Sequence, residues 1–120
     1  MALRTKVLQG SVAAGERGSF LSSPILRPHR PIAVLLWTDT HAIGSTYTVF
    51  LTRSDTPTPA PQPGDPVAFE VIDLQTPGAN PITLPIHSTE VFEPPLRFAL
   101  SFNNGAGVTA NVLSVYFYEE

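Results

Sequence analysis

The side chains of this sequence that could do chemistry are three histidines, ten carboxylates and a scatter of serines, and the pair that stands out is Asp39 with His41. Two positions apart on a regular strand, they would share a face. A carboxylate and a neutral imidazole are suitable metal donors. A zinc site takes three or four ligands, however, and His29 and His87 have no local partners to complete one. An aspartic-protease turn needs Asp-Thr-Gly or Asp-Ser-Gly, whereas Asp39-Thr40 runs into His41 and Asp55-Thr56 into Pro57. Neither a G-x-S-x-G elbow nor a phosphate-cradling glycine loop occurs. Asp39, one of the histidines and a nearby serine could be written as a relay, but geometry rather than residue presence defines such a site. The expectation is a protein that is not an enzyme and uses no metal or cofactor. Asp39, Thr40 and His41 then read as a strand-end turn, with Asp39 bonding nearby backbone amides.

Composition narrows the partners. The chain has 120 residues, a net charge of -3 and 14% charged residues, with no basic stripe to neutralise a phosphate backbone, so nucleic-acid binding is disfavoured. Absence of cysteine removes disulfides and thiolate chemistry. In Met1–Ala14 the basic Arg4 and Lys6 precede Val7-Leu8, but Gln9, Gly10 and Ser11 interrupt any run of signal-peptide length, so signal-dependent secretion is not expected. The longest apolar run, Ile32–Trp37, is far too short to cross a bilayer, and a soluble protein is expected.

The elements that must position any site are strands. Thirteen prolines separate β-rich segments, and the best helical candidate, Val12–Arg17, is short and holds Gly15, so it promises a turn at most. Strands are expected at Thr5–Val12, Ser19–Leu26, Ile32–Thr38, Thr46–Arg53, Asp65–Asp73 and Ile82–Ile86. Ile32–Thr38 is apolar on both faces and reads as a central strand. In Thr46–Arg53 the threonine face reads as solvated, with Phe50 its one large residue. Pro85 cannot donate to a ladder, which puts Ile82–Ile86 at an edge. With two terminal strands this makes about seven or eight, the signature of an antiparallel β-sandwich, jelly-roll or immunoglobulin-like. The whole of residues 1–120 is expected to be one domain, with residues 1–14 as a candidate N-terminal arm. In the loop 54–66, Pro57, Pro59, Pro61 and Pro63 alternate with Thr58, Ala60 and Gln62, a pattern that favours an extended polyproline II segment. Such a loop serves as a stiff connector or as a preformed docking arm.

The terminal stretch Leu96–Tyr118 reads as a long β-hairpin turning at Asn103–Gly107. Leu96, Phe98, Leu100 and Phe102 fall on one face of its first strand. The second strand is apolar on both faces, with Val108, Ala110, Val112, Tyr116 and Tyr118 against Leu113, Val115 and Phe117. One core can cover only one of these faces, so the other is expected to pack against another subunit. The expected interface is Tyr116, Phe117 and Tyr118 together with Pro57, Pro59, Pro61 and Pro63. Ala2–Val12 is a second candidate, able to add to a neighbouring sheet. Trp37 is expected in the core. An exposed platform of Tyr47, Tyr116 and Tyr118 would instead suit a carbohydrate- or receptor-binding module.

The stretch Pro95–Gly105 leading into Val108–Phe117, on a cysteine-free, proline-studded β domain, resembles the small structural proteins of tailed-bacteriophage virions, in particular capsid decoration or cement proteins. The resemblance covers the last quarter of the chain and carries over no functional residue. It implies a homo-oligomer, often a trimer, bound to a major capsid or other virion protein and assembled in the host cytoplasm. A tail, neck or spike component is the alternative location.

Overall fold

Each expected strand has its counterpart in a computed structural model, which describes residues 2–39, 45–65, 67–72, 82–86 and 89–120, with 67–72 described by their backbone alone. Eight strands occur, and no helix is found among the described residues: β1 (Leu3–Val12), β2 (Arg17–Leu21), β3 (Arg30–Thr38), β4 (Thr46–Thr52), β5 (Val67–Ile72), β6 (Ile82–Pro85), β7 (Arg97–Asn103) and β8 (Ala110–Glu119). They form two four-stranded antiparallel sheets, ordered β1-β8-β3-β6 and β2-β7-β4-β5. The pairing is concentric: first with last, second with second-last, and so inward to β4 with β5. The Cα radius of gyration is 13.9 Å, close to the roughly 13.6 Å that chain-length scaling gives a folded chain of this size.

Alternation decides what is inside. Leu96, Phe98, Leu100 and Phe102 are shut off from solvent, as their period predicts, and meet Val34 and Leu36 of β3 and Val112, Tyr116 and Tyr118 of β8 in one core. The Phe98 and Tyr116 rings stack across the gap with centroids 5.0 Å apart, and Tyr47 stacks on Phe102 within the second sheet at 4.6 Å. β6 lies at a sheet edge, where Pro85 was expected to put it.

The terminal stretch is not a hairpin. β7 pairs with β2 and β4 while β8 pairs with β1 and β3, so the turn between them is a crossing from one sheet to the other. Asn104 enforces the crossing. It is 1% exposed, its amide Nδ2 donates to the carbonyls of Val12 at 3.0 Å, Ala13 at 3.2 Å and Val108 at 2.9 Å, and its Oδ1 accepts from the Ala106 N–H at 2.9 Å. These bonds tie the turn to the β1–β2 corner, where Gly15 takes a φ of +71° that suits glycine.

Two further expectations are corrected. The threonine face of β4 is closed at its end, since Phe50 and Thr52 are fully buried, and Thr52 Oγ1 donates to Asp65 Oδ1 at 2.9 Å. Trp37 is not in the core: Val34, Leu36 and Thr38 take the inner face of β3, which leaves Leu35 and Trp37 half-buried on the outer one.

Candidate docking face

The outer face of β1-β8-β3-β6 is assembled by register. Residues directly opposite on antiparallel strands share a face, so the pairings set rows across the sheet: Val7, Val115, Leu35 and Thr83 in one, Thr5, Phe117, Ala33 and Pro85 in the next, and Gln9, Leu113 and Trp37 on the other side. The central members of these rows are half-buried by their neighbours and the β1 members are exposed, Val7 at 54%. Charge closes one end, where Arg30 pairs with Glu119, while Arg4 and Glu120 pair at 3.4 Å from the opposite side of the same end. A polar row closes the other. Ser11 Oγ donates to Asn111 Oδ1 at 2.5 Å, Asn111 Nδ2 donates to Asp39 Oδ2 at 2.6 Å, and the Asn111 N–H donates to Asp39 Oδ1 at 2.8 Å. Asp39 thus accepts from a backbone amide, as expected, but from one on the neighbouring strand. The result is an apolar stripe with a polar rim, which is how docking surfaces are built.

The expected interface residues separate. Phe117 belongs to this face. Tyr116 and Tyr118 are buried on the inner side because they stand one step either side of it on a period-2 strand. Their role is to fasten the core: the Tyr116 hydroxyl hydrogen-bonds His29 Nε2 at 2.9 Å, and the His29 ring meets Tyr118 edge-on, with centroids 5.0 Å apart. Burial pushes all three phenols above their ordinary range. At Tyr47 a hydrogen bond to Thr38 opposes the shift, and at Tyr118 the nearby Arg4 does so. Burial also holds the His29 imidazole below its usual value, against the backbone of Arg27 and the charge of Glu120, and among the described residues its Nδ1 meets no partner of hydrogen-bonding geometry.

The proline segment lies elsewhere, between β4 and β5, with Pro57, Pro59 and Pro63 exposed and Pro61 half-buried. Asp65 staples its neck, accepting from Thr52 Oγ1, the Arg53 N–H at 3.2 Å and the Gln62 N–H at 2.8 Å. Trp37 lines an open groove of about 390 Å³ with Gln9, Ser11, Asn111 and Leu113. Sequence reasoning had this ring inside, and the one available signal was that β3 is apolar on both faces.

Of the residues first considered for chemistry, Thr40, His41 and His87 lie outside the described residues. Among the described ones no group of three or more His, Cys, Asp or Glu could hold a metal ion. Compared with protein-family models, with characterised proteins and with solved structures, the chain finds no match.

Proposed function

We propose that this chain is a non-enzymatic structural protein of a virion, a jelly-roll subunit of the decoration or cement kind that binds copies of itself and a shell protein through the outer face of β1-β8-β3-β6. The observation that carries this reading is the stripe of Leu35, Trp37, Leu113, Val115 and Phe117 on an open sheet face, when Phe50, Ala99 and Thr52 on the other sheet's outer face are closed off from solvent. Strand order supports the jelly roll over the immunoglobulin type. In the latter the first two strands share a sheet, whereas here β1 and β2 lie in different sheets. A fold hosts many functions, and viral shell proteins and lectins both use this one. The mechanism is burial: at about 25 cal/mol per Å² of apolar surface, a modest contact repeated over a lattice adds up, less the cost of ordering. The Pro57–Pro63 arm, held at its neck by Asp65, supplies a second, preformed contact.

The test is light scattering on the wild type and on Leu113→Ser/Phe117→Ser. A multimer that the double variant dissociates while still folding supports the reading. A protein of 12.9 kDa at every concentration, with no affinity for assembled shells, overturns it.

The Trp37 groove favours one alternative, a glycan-binding module, because an aromatic ring beside the Gln9 carboxamide and the Ser11 hydroxyl suits a sugar ring. Trp37 is the sole tryptophan, so its fluorescence reports the groove directly. Quenching by one glycan of a panel would move the assignment there.

A further inference from the structure

The two edges of the first sheet are unequal. On β6 the row positions Thr83 and Pro85 aim their backbone groups outward, and Pro85 has no N–H to offer, which blunts that edge. β1 carries no such device. Ala2 and Glu120 exchange both backbone bonds, at 3.4 and 3.0 Å, and this sets the phase of the ladder: Arg4, Lys6, Leu8, Gly10 and Val12 bond to β8, while Leu3, Thr5, Val7, Gln9 and Ser11 turn their N–H and C=O groups away from it. All five of these are exposed, and among the described residues no strand pairs with that side. Leu3 and Val7, at 65% and 54% exposure, are apolar besides.

We propose that two copies of this chain pair through the free edge of β1, antiparallel about a two-fold axis at Val7, so that their first sheets become one continuous sheet. The inference rests on the reading of the chain as a self-assembling subunit and names the contact that starts assembly. Register selects the occupant. With Val7 facing Val7 of the second copy, Thr5 faces Gln9 and Leu3 faces Ser11, and every outward-turned residue of β1 finds a bonding mate. On the inner side Arg4 then lies opposite Gly10 and Lys6 opposite Leu8. Sliding the strands one way sets Lys6 against Lys6, and sliding further sets Arg4 against Lys6, both penalised as like charges directly opposite. Sliding the other way forfeits ladder bonds. The apolar row Val7–Val115–Leu35 also runs to the edge, so pairing continues it into the second copy and covers both Val7 side chains. Assembly therefore begins on a two-fold rather than on the three-fold that the virion resemblance implies.

The chain has no cysteine, so single cysteines probe the register cleanly. In a hydrogen-bonded antiparallel pair the Cα atoms are about 5.5 Å apart, within disulfide reach. Val7→Cys should cross-link to a dimer under mild oxidation. Thr5→Cys alone should not, because its copy lies four residues along the strand, about 14 Å away. Val7→Lys, which changes an exposed side chain, should halve the mass seen by light scattering and, at a dilution where the wild type is monomeric, leave the urea midpoint in place. If the wild type assembles but Val7→Lys keeps its mass and Val7→Cys cross-links no better than Thr5→Cys, edge pairing is wrong and the docking face stands. If Val7→Cys cross-links but Leu113→Ser/Phe117→Ser assembles normally, the edge stands and the docking face is wrong. A wild type monomeric at millimolar concentration, with no cross-linked Val7→Cys, removes both.

Discussion

Tyr116 and Phe117 are adjacent in sequence and opposite in fate, which makes them a sensitive test of the division between core and docking face. Tyr116 is fully buried, stacked on Phe98 and bonded to His29. Truncating it to Ala removes a core aromatic ring, leaves a cavity and strands the His29 Nε2, a loss of about 3–5 kcal/mol by analogy with other large-to-small core changes. With an m-value of ~1.5 kcal/mol/M, the urea midpoint of Tyr116→Ala falls by about 2–3 M. Phe117 is only half-buried, by lateral neighbours within its own sheet. Complete burial of a Phe is worth about 1.5–3 kcal/mol, so Phe117→Ala should cost folding near 1 kcal/mol and shift the midpoint by less than ~1 M. Equilibrium unfolding followed by far-UV circular dichroism gives both numbers, and light scattering on the same samples gives the mass. Dilution to a concentration where the wild type is monomeric separates folding from assembly. Equal midpoint losses for the two variants would mean that the Phe117 face is sealed by its own chain, and the division drawn here would be refuted.

The other expectations concern buried polar groups. Asn104→Ala removes the side-chain bonds to the carbonyls of Val12, Ala13 and Val108 and frees the β7–β8 crossing, so it should cost about 2–3 kcal/mol; a midpoint shift under ~0.3 M in urea would mean that water replaces those bonds. Because burial holds the His29 pKa below the ordinary 6.5, the unfolded chain takes up the proton first, and stability should decline as pH falls from 6.5 toward the folded value. His29→Phe should flatten that part of the pH profile, and an unchanged slope would remove His29 from the account. The three tyrosines are the only ones in the chain, and all have raised pKa values. Above pH 10 the unfolded state loses phenolic protons that the folded state keeps, so stability should drop there. Tyrosinate absorbance near 295 nm should then appear together with unfolding, whereas a smooth titration at pH 10 in folded protein would contradict their burial.

Alternation made faces legible and left neighbours illegible. The inward set of β7 and the inner side of β8 can be read from spacing alone, because a strand's period of two is a property of its own backbone. Which strand lies beside which is a property of the whole chain. Asn103–Gly107 carries the residues of a tight turn, and only the burial of Asn104 between two sheets reveals a crossing. Trp37 and Phe50 fail for a related reason. β3 offers two apolar faces and hydropathy cannot rank them, while a threonine-rich face looks wet until the chain closes over it. The docking stripe was half visible, in Leu113, Val115 and Phe117. Its other half, Leu35 and Trp37, needed the β3–β8 register.

The concentric pairing has a consequence for how the chain is made. β8 is the last strand in sequence and sits between β1 and β3, so the first sheet lacks its middle until β8 has been synthesised. During that interval β1 and β3 each expose an edge that only β8 will cover, beside the outer edge of β1 that no strand of its own chain covers among the described residues. Among the described strands the single pairing of sequence neighbours is β4 with β5, leaving folding to wait on distant segments, the topology associated with slow folding and with aggregation of incomplete chains. A nascent chain halted before Ala110 is therefore the species that a chaperone should hold longest.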